Sequence, residues 1–117
     1  MKISVLLPYK ENFSPEYPGA VSIFVKDTTL HSKYNKNITI FGYTKYRSKL
    51  LKNYVNLNIK KELLQSNNKL YIKEFLKHEK KLPSNLIEVH NRPIYIRHLV
   101  REKTFSKLIL YFHNDPL

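Results

Sequence analysis

A three-layer α/β domain of Rossmann-like type, built on a mostly parallel sheet of about five strands, is predicted by three features of this sequence. Residues 2–7 and 107–112 are short, nearly continuous apolar runs, the pattern of strands covered on both faces. Between the strand-like runs, residues 20–31 and 67–81 carry apolar side chains at helical spacing. With 117 residues, 42% of them hydrophobic, the chain can bury one core, so a single domain over 1–117 is expected.

Residues 2–7 form the first strand, which Pro8 closes. The polar stretch 10–18 contains Pro15 and Pro18, which oppose a helix or a central strand there. From Ala20 to His31 the residues Val21, Phe24, Val25 and Thr28 predict one buried helical face. Residues 38–41 read as a second strand ended by Gly42. Residues 54–59 read as a third, at a sheet edge, because Val55, Leu57 and Ile59 alternate with asparagine or tyrosine. The basic stretch 43–53 between them is irregular and predicts a loop. Asn67 or Asn68 is expected to cap a helix running to about Lys81, with Tyr71, Ile72, Phe75 and Leu76 inward. A fourth strand over 86–89 leads to Asn91, read as a cap, and to Pro93 in the first turn of a helix that buries Ile96, Leu99 and Val100. Residues 107–112 close the series as a fifth strand.

Composition removes several chemistries. The absence of cysteine excludes disulfides, thiolate metal sites and a thiol nucleophile. Only Gly19 and Gly42 are glycine, too few for a dinucleotide fingerprint or a P-loop. No serine lies in a nucleophile elbow. The apolar start is too short for a secretory signal, and no stretch approaches the roughly 18 apolar residues of a membrane span, so a soluble, cytoplasmic protein is expected. The net charge of +12 invites a polyanion, yet the lysines are scattered over several elements without a nucleic-acid motif. Nucleic acid is therefore a competing reading, beside a basic binding module for anionic surfaces and a partner-dependent subunit.

A parallel sheet places its working loops at the carboxyl ends of its strands. Three segments fall there: Tyr17-Pro18-Gly19-Ala20, His90-Asn91-Arg92-Pro93 and His113-Asn114-Asp115-Pro116. Gly19 before a helix either lets amides approach a phosphate or serves a tight turn needing positive φ. His90 and Asn91 either bond sugar hydroxyls or a phosphate, or pack beneath and cap the next helix. His113, Asn114 and Asp115 are either ligand-binding or turn-forming residues. His90, His113 and Asp115 have no helical partner pair to support a metal, and none is expected. Glu88 reads as a partly buried strand residue.

In order and content, the first strand, the Pro18-Gly19-Ala20 turn, Leu86-Ile87-Glu88-Val89-His90-Asn91-Arg92-Pro93 and Leu108-Ile109-Leu110-Tyr111-Phe112-His113-Asn114-Asp115-Pro116 resemble the N-terminal domain of family 4 glycosyltransferases, particularly those acting on surface polysaccharide or lipopolysaccharide. That resemblance implies half of a two-domain fold, the acceptor side of a retaining transferase. The donor would be a nucleotide-diphosphate sugar as co-substrate, without metal or other cofactor, and the acceptor a saccharide or lipid-linked chain. It further implies that Gly19 approaches the donor diphosphate, that His113 contacts the transferred sugar as the catalytic strand-end histidine, and that His90, Asn91, Asn114 and Asp115 line the cleft. Lys45, Arg47, Lys49 and Lys52 would suit peripheral contact with an anionic membrane. The family's glycine loop commonly has two glycines where this chain has one. The nucleotide-sugar domain lies beyond these 117 residues, so the chain alone is expected to be inactive.

Overall fold

Four consecutive buried residues, Ile3 to Leu6, can be satisfied only by a strand inside a sheet covered on both faces. This strand, β1 (Ile3–Leu6), pairs in parallel with β2 (Ile38–Gly42) on one side and β4 (Leu86–His90) on the other. β3 (Tyr54–Asn56) extends the sheet beyond β2, and β5 (Lys107–Tyr111) extends it beyond β4. The computed structural model describes residues 1–60, 66–102 and 105–113, and within them the sheet has five parallel strands in the order β3-β2-β1-β4-β5. The expected α/β architecture is present, with β3 at an edge as its alternation requires.

Side-chain alternation along β1 feeds two cores. Ile3, Val5 and Leu7 point with Ile38 and Ile40 toward α1 (Ala20–Leu30), which contributes Val21 and Val25. Leu6 points with Phe41, Ile87 and Val89 to the other face. That face is covered by Tyr71, Ile72 and Phe75 of α2 (Asn67–Lys81) and by Tyr95 and Leu99 of α3 (Pro93–Arg101). Each fully buried aliphatic or aromatic side chain contributes about 1.5–3 kcal/mol before entropy is counted, so these layers hold the sheet. The link from β2 to β3 has no helix, as its irregular sequence predicts. Leu50 and Leu51 pack against the α1-side core in its place.

Helix faces and caps depart from expectation in detail. In α1 the buried residues are Val21, Ser22, Val25 and Thr29, while Phe24 and Thr28 are exposed. In α3 Tyr95 and Leu99 are buried, Ile96 is half-buried and Val100 is exposed. The physical reason is that each helix packs at the angle set by the strands beneath it, which periodicity alone does not specify. Ser66, rather than either asparagine, caps α2, its Oγ accepting from the Lys69 N–H at 3.2 Å. Asn68 instead accepts from the Tyr95 hydroxyl at 2.8 Å, joining α2 to α3. Asn91 does not cap α3: Arg92 holds that position with no side-chain hydrogen bond, although Pro93 does open the first turn.

At the amino-terminal edge of the sheet a buried carboxylate is compensated in series. Ser4 Oγ lies 2.6 Å from Ser84 Oγ, Ser84 Oγ–H donates to Glu79 Oε2 at 3.0 Å, and Lys2 Nζ is 3.6 Å from the same oxygen. Among the described residues no helix is long and apolar enough to cross a membrane.

Candidate functional site

From β1 the chain builds outward in one direction through β2 and β3, then returns to the other side of β1 for β4 and β5. Loops leaving the carboxyl ends of β1 and β4 therefore lead to helices on opposite faces of the sheet, the arrangement beside which parallel sheets commonly bind ligands. All three non-glycine residues with left-handed backbone among those described lie in these loops: Lys10 (φ 68°), Tyr17 (φ 49°) and Asn91 (φ 55°). Such conformations cost about 1 kcal/mol or more each and concentrate at functional sites.

On the β1 side, Glu11 reaches the N-terminus of α1. Its Oε2 accepts from the Ser22 N–H at 3.1 Å and from the Ser22 hydroxyl at 2.7 Å. The carboxylate thus satisfies an amide that the helix leaves unpaired, and its charge complements the helix dipole. Gly19 makes this possible. Its φ is −73°, so no positive-φ turn is involved; a Cβ there would stand 1.8 Å from Glu11 Oε2. The space that sequence reasoning reserved for a phosphate is filled by the protein's own carboxylate.

On the β4 side, His90 is the buried last residue of its strand and His113 follows β5. Their rings stack with centroids 4.9 Å apart, and His90 Nδ1 lies 2.6 Å from His113 Nε2, so one nitrogen donates and the other accepts. His90 Nε2 is buried without a hydrogen bond and faces Glu88 Oε2 at 3.7 Å. A nitrogen carrying hydrogen is favoured beside a carboxylate, whereas a lone pair there is repelled. Electrostatics at that distance favour the His90 tautomer with hydrogen on Nε2, while the short Nδ1–Nε2 contact itself accommodates either tautomer. In the favoured tautomer His90 Nδ1 accepts from His113 Nε2–H, and His113 Nδ1 is left as an acceptor. Burial first, and the His90 imidazole second, hold the His113 imidazole below its ordinary value, while Glu11 pulls it upward.

Asn91 orients this pair. Its left-handed backbone lets its N–H donate to the Tyr111 carbonyl at 2.8 Å while its Oδ1 accepts the His113 N–H at 2.7 Å. Phe24, displaced from the core of α1, sets its ring edge-on to His113 at 4.7 Å, and Tyr111 stacks on His90 at 5.0 Å.

The structure brings together His90, Asn91 and His113, while Gly19 stands at the start of α1 against Glu11. Asn114 and Asp115 lie outside the described residues. Glu88 is half-buried, as expected. Glu11 and Phe24 were missed: a lone carboxylate in a loop and an apolar residue on a helix carry no motif, and only packing gives them a place here. Of the basic stretch, Lys45, Arg47 and Lys52 are exposed. Lys49 is half-buried, donates to the Tyr46 carbonyl and lies over the Tyr54 ring, and burial lowers its pKa.

Compared with protein-family models, with curated proteins and with solved structures, the chain matches none.

Proposed function

We propose that these 117 residues form the acceptor-side half of a retaining glycosyltransferase, which moves a sugar from a nucleotide-diphosphate sugar to a polysaccharide, lipopolysaccharide or lipid-linked acceptor. The observation that carries this reading is the His90–His113 pair at the carboxyl ends of β4 and β5, in contact with Phe24 of α1. His113 Nδ1 accepts a hydroxyl of the transferred sugar. His90 and Asn91 position that imidazole, one through its ring and the other through its backbone. The amides of α1 supply positive potential for a leaving diphosphate once Glu11 withdraws, since two anions cannot share that helix end. Donor binding and the departure of Glu11 are then one event. The chain by itself is not expected to catalyse transfer, because the donor-gripping residues of the family belong to its second domain.

The test is NMR of the histidine side chains and of the Ser22 amide during titration with UDP-glucose, UDP-N-acetylglucosamine, GDP-mannose and dTDP-rhamnose. At least one donor should shift the His113 ring and Ser22 signals together, with no sugar transferred to added acceptor. Silence from every donor, or transfer by the chain alone, refutes the proposal in its first or second part.

A partner-dependent subunit is the second reading. The observation favouring it is an apolar patch on the α1 side of β5, where Ile109, Tyr111 and Phe24 are exposed.

A further inference from the structure

A concavity on the same carboxyl edge has a lining that includes neither histidine of the pair. Its walls are Lys10, Asn12 and Tyr17 from the β1–α1 loop and Tyr43, Thr44, Lys45 and Tyr46 from the segment after β2, around a volume of about 480 Å³. That volume suits a small ligand. None of these residues is acidic, and among the described residues no carboxylate lies within salt-bridge distance of Lys10 or Lys45.

The cleft is built rather than incidental. Thr44 anchors its floor: its Oγ accepts the Phe13 N–H at 3.0 Å and lies 3.0 Å from the Tyr54 hydroxyl, while its N–H donates to Asn56 Oδ1 at 2.8 Å. Asn12 clamps the opposite wall, its amide donating to the Glu16 and Tyr17 carbonyls at 2.5 and 2.6 Å. This clamp holds Tyr17 in left-handed backbone with its side chain 83% exposed, its ring 6.2 Å from that of Tyr46. An exposed tyrosine in an unfavourable backbone conformation gains nothing for the core, so the cost is kept for another purpose. Lys10 and Lys45 both line the cleft, and each ammonium rests over a tyrosine ring, that of Lys10 over Tyr9 at 5.6 Å and that of Lys45 over Tyr46, itself a lining residue, at 5.3 Å.

From this geometry we infer that the cleft binds an acidic saccharide, a sugar ring bearing a carboxylate or a phosphate. Tyrosine faces stack on the C–H faces of a pyranose, and the hydroxyls of Tyr17, Tyr43 and Tyr46 hydrogen-bond its oxygens. The ammonium groups of Lys10 and Lys45 take the anion. A neutral sugar would leave the Lys10 and Lys45 ammonium groups without an anionic partner. A nucleic-acid strand would need a groove tracking several phosphates, where this concavity holds one or two rings. The inference deepens the transferase reading by naming the acceptor class and rests on it for that role, although the binding itself does not.

The experiment is amide NMR with trigalacturonate as the carboxylate arm, mannose 6-phosphate as the phosphate arm, maltotriose as the neutral control and oligo-dT as the nucleic-acid control. An acidic sugar should shift the amides of Lys10, Tyr17, Lys45 and Tyr46. The arm that binds more tightly identifies the anion, and maltotriose should bind at least about tenfold more weakly. Tyr17→Ala and the double variant Lys10→Gln/Lys45→Gln change only exposed side chains, and each should weaken binding by about tenfold or more. Equal binding of maltotriose, oligo-dT shifting these amides while both acidic sugars are silent, or silence from all four ligands overturns the inference. These signals are separate from those of His113 and Ser22, so this result and that of the donor titration fail independently.

Discussion

At Gly19 the backbone is ordinary, φ −73°, so the consequence of a side chain depends entirely on what an added methyl meets. It meets Glu11, and Gly19→Ala should expel that carboxylate from the end of α1 at about 1–2 kcal/mol. In a Glu11→Ala background the same substitution should cost less than about 0.5 kcal/mol, because the obstacle is gone. A denaturation double-mutant cycle measures the coupling; equal costs in both backgrounds would show that Glu11 is not the reason for glycine. His113 makes a pH prediction. Its folded-state pKa lies below the ordinary value of 6.5, so the unfolded chain binds the proton more readily. The contribution is intact above that value and is lost as the pH falls below it. Between about pH 7.5 and about pH 5.5 the urea midpoint should drop more for the wild type than for His113→Gln. Parallel slopes would place the pH dependence in other groups.

Among the elements, α2 is tied to the sheet by more than apolar contact. The buried Tyr71 hydroxyl donates to the Leu7 carbonyl at 2.6 Å, where β1 has ended and the sheet no longer supplies that carbonyl with a partner. Tyr71→Phe keeps the ring but strands the carbonyl, and should cost about 1–2 kcal/mol in equilibrium unfolding. A neutral result would mean that water replaces the hydroxyl. The same bond bears on the β1–α1 loop, since Leu7 shortly precedes Lys10 and Glu11. β5 shows how an element can be apolar for two reasons. Leu108 and Leu110 pack against the core shared with α2 and α3, whereas Ile109 and Tyr111 face outward on the side of α1.

Among the described residues, one face of the sheet is covered by two helices and the other by α1 and the 43–53 segment, with Ile109 and Tyr111 of β5 exposed at the edge of that second face. Ile109→Lys at this exposed edge should therefore change stability by no more than about 0.5 kcal/mol. It should also lower the binding of a hydrophobic dye such as ANS. A loss of several kcal/mol would show instead that Ile109 is covered in the folded chain. Such a patch suits a docking partner, and it adjoins the histidine pair through Phe24 and Tyr111.

The elements and the parallel character of the sheet were legible from the chain alone, because strand and helix periods are local properties and strands that alternate with helices imply parallel pairing, whereas the strand order was not. The near-continuous apolar run at 2–7 marks a strand covered on both faces, and the alternation of 54–59 marks an edge. The placing of His90 and His113 on one edge also followed, since a parallel sheet sends the carboxyl ends of its strands to one side. Other features depend on distances between residues far apart in sequence. Glu11 enters the end of α1, Asn91 holds the His113 backbone instead of capping α3, and Glu88 favours one His90 tautomer. The apolar run of β5 likewise predicted cover on both faces, but cover requires a neighbouring layer, and a run of residues carries no record of what lies above it. Periodicity determines which residues form an element and roughly which stripe is apolar. Only the packed structure decides how that stripe is rotated, which polar groups meet and which surface stays open, because those outcomes depend on the relative placement of several elements at once.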